Sequence, residues 1–110
     1  MTELEQYWHD RIANESHYPI PEYMQGGLVR WVVHGLQPGG FLSACLCNDF
    51  LGAAGHADDT NRELLFNYAY VLHNCVPADC KGSVERFNNW KGLANMQEAI
   101  TIGVGDEETN

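Results

Sequence analysis

The chain has 110 residues, 15 acidic and 6 basic, for a formal charge of −9 with its histidines neutral. Apolar residues make up 45% and charged residues 19%, so there is material for a core, and length and composition together predict one soluble domain. The acidic balance excludes a DNA or anionic-membrane binder, since affinity for phosphate comes from Lys and Arg, and no apolar run reaches the length of a membrane span.

Thr2 is placed to cap a first helix, with Glu5 as the partner that completes a capping box. Tyr7, Trp8, Arg11 and Ile12 follow at helical spacing. Residues 16–20 break the pattern and end in the Pro19-Ile20-Pro21 elbow, and Pro21 suits the first turn of a second helix. Met24, Leu28, Trp31, Val32 and Gly35 form an apolar stripe, with Gly35 as its C-terminal stop. After the Gln37–Gly40 turn, residues 41–54 are apolar on nearly all sides, which predicts one helix at the centre of the core. Asp59 or Thr60 is placed to cap the next helix, whose stripe is Leu64, Tyr68, Val71, Leu72 and Cys75, and Val76-Pro77 ends it. Ser83 is placed to cap a last clear helix from Val84 to about Asn95. Residues 97–104 read either as a short helix or as an edge strand around Ile100-Thr101-Ile102. The expected architecture is therefore all-α, a compact bundle of four to five short helices in residues 1–102, followed by a mobile acidic tail over 103–110.

No catalytic signature is present. There is no nucleophile elbow, no phosphate-binding loop and no paired-histidine zinc motif. Cys45 and Cys47, within one predicted helix, point to opposite sides and cannot share a metal. Cys75 and Cys80 with His73 are geometrically freer, and they give the one candidate for a small Cys/His metal site or thiol centre. The alternatives are buried core thiols or a Cys75–Cys80 disulfide, which a reducing compartment disfavours. No cofactor is expected.

Asp49 interrupts the most apolar segment, and a carboxylate near a core needs a partner. Arg30 and Arg62, on the neighbouring predicted helices, are the expected ones, so Arg30, Asp49 and Arg62 are read as a structural ion pair that fixes helix register. The candidate partner-binding residues are the acids Glu3, Glu5 and Asp10 of the first helix, the cluster Asp58, Asp59 and Glu63, and the aromatics Tyr7 and Trp8. An acidic surface steers association with basic partners, and an exposed Trp beside acids makes a hot spot.

The run Ile20-Pro21-Glu22-Tyr23, then Gly27-Leu28-Val29-Arg30-Trp31, then Pro38-Gly39-Gly40-Phe41-Leu42-Ser43-Ala44-Cys45-Leu46-Cys47-Asn48-Asp49-Phe50-Leu51, with Ala57-Asp58 and Asn61, resembles a pattern of small proteins encoded in bacteriophage and prophage genomes. Cys80, Gly82 and Ser83 match a later segment of that pattern, and the resemblance runs from Ile20 to about Ser83. Tyr23 stands where the pattern has His, Trp31 where it has Tyr, and Lys81 where it has an aromatic residue. The resemblance implies context rather than chemistry, and no residue inherits a catalytic role. It implies an accessory protein in the cytoplasm of an infected or lysogenic bacterial host. Such a protein would bind and inhibit a host complex, with a CRISPR effector or other nucleic-acid-binding defence complex as the target. A self-associating virion or structural accessory protein, with a homodimer to bury surface, is the alternative.

Overall fold

The structure is a computed structural model that describes residues 1–96, and every regular element among the described residues is helical. The first helix, α1 (Glu3–Asn14), starts at the capping box that the sequence announces. The Thr2 hydroxyl accepts from the Glu5 N–H at 3.1 Å, and the Glu5 carboxylate accepts from the Thr2 N–H at 2.7 Å. Ile12 is fully buried, Leu4 and Trp8 lean on the core above it, and Tyr7 faces out.

The second helix, α2 (Glu22–His34), is the central one, because Leu28, Val29, Trp31, Val32 and Val33 are all buried. Pro21 occupies its N-cap position, one residue outside the expected first turn. Gly35 ends it in the left-handed region at φ 69°, as the sequence predicts. Here the second glycine of a pair matters. Gly92, at φ 93°, brings its backbone against residues 33–35 so closely that a Cβ on it would sit 2.4 Å from the His34 carbonyl carbon.

The expected single helix over 41–54 is two helices, α3 (Gly40–Leu46) and α4 (Phe50–His56). Asn48 turns the chain at φ 61°, in a conformation that Asn tolerates better than most residues. Asp49 then caps α4 by accepting from the Gly52 N–H at 2.9 Å. The apolar residues of the two halves part company at this turn. Phe41, Leu42 and Leu46 of α3 are buried, but on α4 only Ala53 is, while Phe50 and Leu51 face solvent. The prediction of one core helix fails because composition shows how apolar a stretch is and not where the chain reverses.

The next predicted helix divides in the same way, into α5 (Asp59–Arg62) and α6 (Leu65–Asn74). Asp58, one residue before the expected cap, accepts from the Asn61 N–H at 2.7 Å. Tyr68, Val71, Leu72 and Cys75 are buried as the stripe predicts. The buried Asn61 is satisfied by the Tyr68 hydroxyl, which donates to it at 2.6 Å. A 3-10 turn at Ala78–Cys80 leads to α7 (Val84–Asn89), capped by Ser83. This helix stops at Trp90, short of the expected Asn95, and helical backbone resumes only at residues 93–96. Residues 97–110, including the 97–104 segment and the acidic tail, lie outside the described residues.

Among the described residues the five predicted spans thus become the helices α1 to α7, a 3-10 turn and the helical backbone at 93–96, and the all-α class holds. The middle of the molecule is tied by two indoles. Trp90 Nε1 donates to the Trp31 carbonyl at 2.9 Å, and Trp31 Nε1 donates to the Cys80 carbonyl at 3.1 Å. The Trp31 ring stacks on Phe87 at 4.6 Å. Among the described residues, no helix is long and apolar enough to cross a membrane.

Candidate functional site

The predicted acids divide into engaged and free ones. Glu5 is not presented to a partner. Besides closing the capping box, it meets His34 Nε2 at 2.8 Å, linking the start of α1 to the end of α2. The Thr2 backbone N–H and then the His34 ring hold its carboxyl far below the usual range, at about 2. Asp58 is engaged too. It caps α5 and accepts from the Tyr23 hydroxyl at 2.6 Å, which lowers its own pKa and raises that of Tyr23. Asp10 accepts from the Gln6 side-chain amide at 2.8 Å. Glu3 and Glu63 make no hydrogen bond or ion pair among the described residues, and Asp59 is 98% exposed even though it meets Arg62 at 2.8 Å.

The two acidic clusters do not merge. Glu5 touches one end of α2 at His34 and Asp58 touches the other at Tyr23. At 1.5 Å rise per residue these ends are about 16 Å apart. Tyr7 and Trp8 pack edge to face at 5.2 Å, with Tyr7 outside and Trp8 half-buried under the Arg11 guanidinium, 5.8 Å from its ring. Trp8 is therefore part of the packing, and Tyr7 is the exposed member of the pair.

The expected ion pair among Arg30, Asp49 and Arg62 is absent among the described residues. Asp49 spends its carboxylate on the α4 cap, Arg62 reaches Asp59 and the Ala57 carbonyl, and Arg30 lies along Gly26 and Gly27 at the surface. Asp49 is exposed, because the helix thought to carry it inward ends just before it.

The thiols are core groups. Cys75 and Cys80 are free and buried, His73 is exposed, and among the described residues no three His, Cys, Asp or Glu side chains are placed to share a metal ion. The Cys80 thiol donates to the Pro77 carbonyl at 3.1 Å, and burial pushes it up to about 12. Burial pushes Cys45 up to about 11. Neither thiol is a nucleophile near neutral pH.

Sequence reasoning missed a groove of about 600 Å³ between α4 and α6. Phe50 and Ala53 form one wall, Phe66, Ala69 and Leu72 the other, and Cys45 lies beneath. Phe50 is 71% exposed, Leu51 79% and Phe66 61%. Tyr18 extends the aromatic surface, packing edge to face on Phe66 at 4.9 Å and against Tyr70 at 4.9 Å. Lys81 lies at the groove and donates to the Leu72 carbonyl at 2.5 Å, satisfying the last turn of α6. The signal that could have found this surface is the Asn48-Asp49 pair. Read as a turn followed by an N-cap, it releases Phe50 and Leu51 from the core.

Comparisons with protein-family models, with curated proteins and with solved structures find no match to this chain.

Proposed function

We propose that the chain is a non-catalytic accessory protein of the bacteriophage or prophage kind that binds and blocks a host complex, its target being a nucleic-acid-binding defence complex with a basic surface. The observation that supports this reading is where the charge lies. No Asp or Glu among the described residues is buried, so all of these carboxylates stand at the solvent boundary of a strongly acidic chain. Such a surface attracts a cationic groove built for phosphate and competes with nucleic acid for it. The groups best suited to covalent chemistry point the same way, since the Cys45 and Cys80 thiols are held protonated by burial. Within the acidic surface the exposed carboxylates Glu3, Asp59 and Glu63 carry the contact, whereas Glu5 and Asp58 hold the fold.

The test is capture of host proteins by the tagged chain at low and at moderate salt. It is run beside a Glu3→Gln/Asp59→Asn/Glu63→Gln variant, which leaves every cap intact. A stoichiometric nucleic-acid-binding complex that is released by salt and lost with the variant is the expected result. Recovery of the bait alone, or capture unchanged by the triple substitution, overturns the proposal.

A further inference from the structure

The exposed face of α4 and α6 differs in chemistry from the rest of the surface. Neither helix carries a single Asp, Glu, Lys or Arg, although the chain as a whole has 21 such residues. That surface presents Phe50 and Phe66 to solvent at the groove, with Leu51 next to Phe50 on α4, and the only charged groups that line the groove are Asp49 and Lys81, of opposite sign. These side chains are not on loose chain. Asp49 caps the helix that starts at Phe50, and Tyr18 buttresses Phe66 at 4.9 Å, so the face is pre-shaped for contact.

We infer that this face is a self-association surface, and that its occupant is a second copy of this chain. Charge selects the occupant. A second copy carries the same −9, so approach through a face of unopposed carboxylates is repulsive, and the α4–α6 face, where Asp49 is offset by Lys81, is where two copies meet at least cost. A basic partner is instead drawn towards the other carboxylates, none of which lines the groove. Shape agrees with charge. One patch holds both a projection, Phe50 with Leu51, and a recess, the groove beside them, as a self-complementary two-fold contact requires. The three exposed side chains offer on the order of 400 Å² of apolar surface per copy, at the level where a patch marks an interface. Doubled across a two-fold, and widened by Tyr18 and the groove walls, it reaches the lower end of specific interfaces, so a reversible dimer of micromolar strength is expected. The groove is not lined by Glu3, Asp59 or Glu63, so the pairing goes beyond the proposed inhibitory role and does not depend on it.

Sedimentation equilibrium on the full chain tests this between about 1 µM and about 1 mM, the range over which a contact of this size dissociates. The mass rises from 12.3 kDa towards twice that value with concentration. Association strengthens at least severalfold when salt is raised, because screening removes the repulsion between like-charged copies and leaves apolar attraction intact. The salt dependence of host-target capture has the opposite sign, so failure of one reading is distinct from failure of the other. Phe50→Asp/Phe66→Asp weakens association more than tenfold while circular dichroism shows an unchanged helix content. Leu51→Asp, at the most exposed of the three positions, gives a second and milder disruption. A monomer mass at every concentration overturns the inference. So does a dimer that dissociates with added salt, or one that both sets of substitutions leave intact.

Discussion

Gly92→Ala is the substitution that the backbone tolerates least. Gly92 adopts φ 93°, a region that L-residues occupy at a cost of about 1–2 kcal/mol. The added methyl would lie 2.4 Å from the His34 carbonyl carbon, 2.5 Å from the Gly35 nitrogen and 2.6 Å from the Val33 oxygen. All three are backbone atoms at the end of α2, so no side chain can rotate away. Relief requires the 91–92 segment to move off by about 1 Å, at an overpacking cost of about 1–3 kcal/mol. Together these give about 3 kcal/mol, a fall in melting temperature of roughly 12–24 °C for a domain of this size. Gly55→Ala is the internal control. No heavy atom lies within 4 Å of its would-be Cβ, and the residue is helical, so the same chemical change there raises stability by about 0.5–1 kcal/mol. The assay is urea and thermal unfolding followed by circular dichroism on both variants in parallel. Gly92→Ala within 0.5 kcal/mol (roughly the error of such comparisons) of the parent would refute the crossing. A destabilised Gly55→Ala would refute the local packing of α4. Gly35→Ala strikes the same contact from the other side, where its Cβ would lie 2.6 Å from the Lys91 carbonyl. The double variant is therefore expected to cost clearly less than the sum of the singles.

The remaining predictions concern caps, thiols and pH. Asp49→Ala costs about 1 kcal/mol, whereas Asp49→Ser is near neutral by chemical denaturation; a cap keeps its value with a serine hydroxyl and a salt bridge does not. Because the Glu5 carboxyl is held at about 2 against an ordinary 4.5, its contribution to stability is fully present above pH 4.5 and is lost as pH falls towards 2. The melting-temperature gap between the parent and Glu5→Gln is accordingly open at pH 4.5 and closes as pH falls towards 2; a gap that stays open at the acid end would contradict the assignment. Under native conditions Cys80 resists alkylation far longer than Cys47, which is only partly buried, and mass spectrometry of iodoacetamide-treated protein reads the order directly. Denaturant removes the difference.

What was legible in the sequence was local. Thr2 with Glu5, Gly35 after a stripe, and Ser83 before Val84 each need only a few neighbouring residues to act, and each acts where it was expected. Asn48-Asp49 is equally local, but an apolar background on both sides disguised a turn and a cap as a polar interruption in one helix. The pairs that settle the role of each acid are of another kind. His34 meets Glu5 across 29 positions and Tyr23 meets Asp58 across 35, and no periodicity along the chain encodes such meetings. The exposed groove is invisible for the same reason, since an apolar run looks alike whether it faces inwards or out.

The two linked indoles also set an order of assembly. The hairpin of α1 and α2 needs only the first 35 residues and is free to form early during synthesis. Trp31, at the heart of α2, must then wait, because the carbonyl that accepts its N–H belongs to Cys80, 49 positions later, and the indole that seals its own carbonyl belongs to Trp90, 59 positions later. A nascent chain shorter than this keeps its central helix uncovered. Ribosome release or proteolytic trimming before residue 90 would therefore leave a sticky remnant and not a smaller working protein.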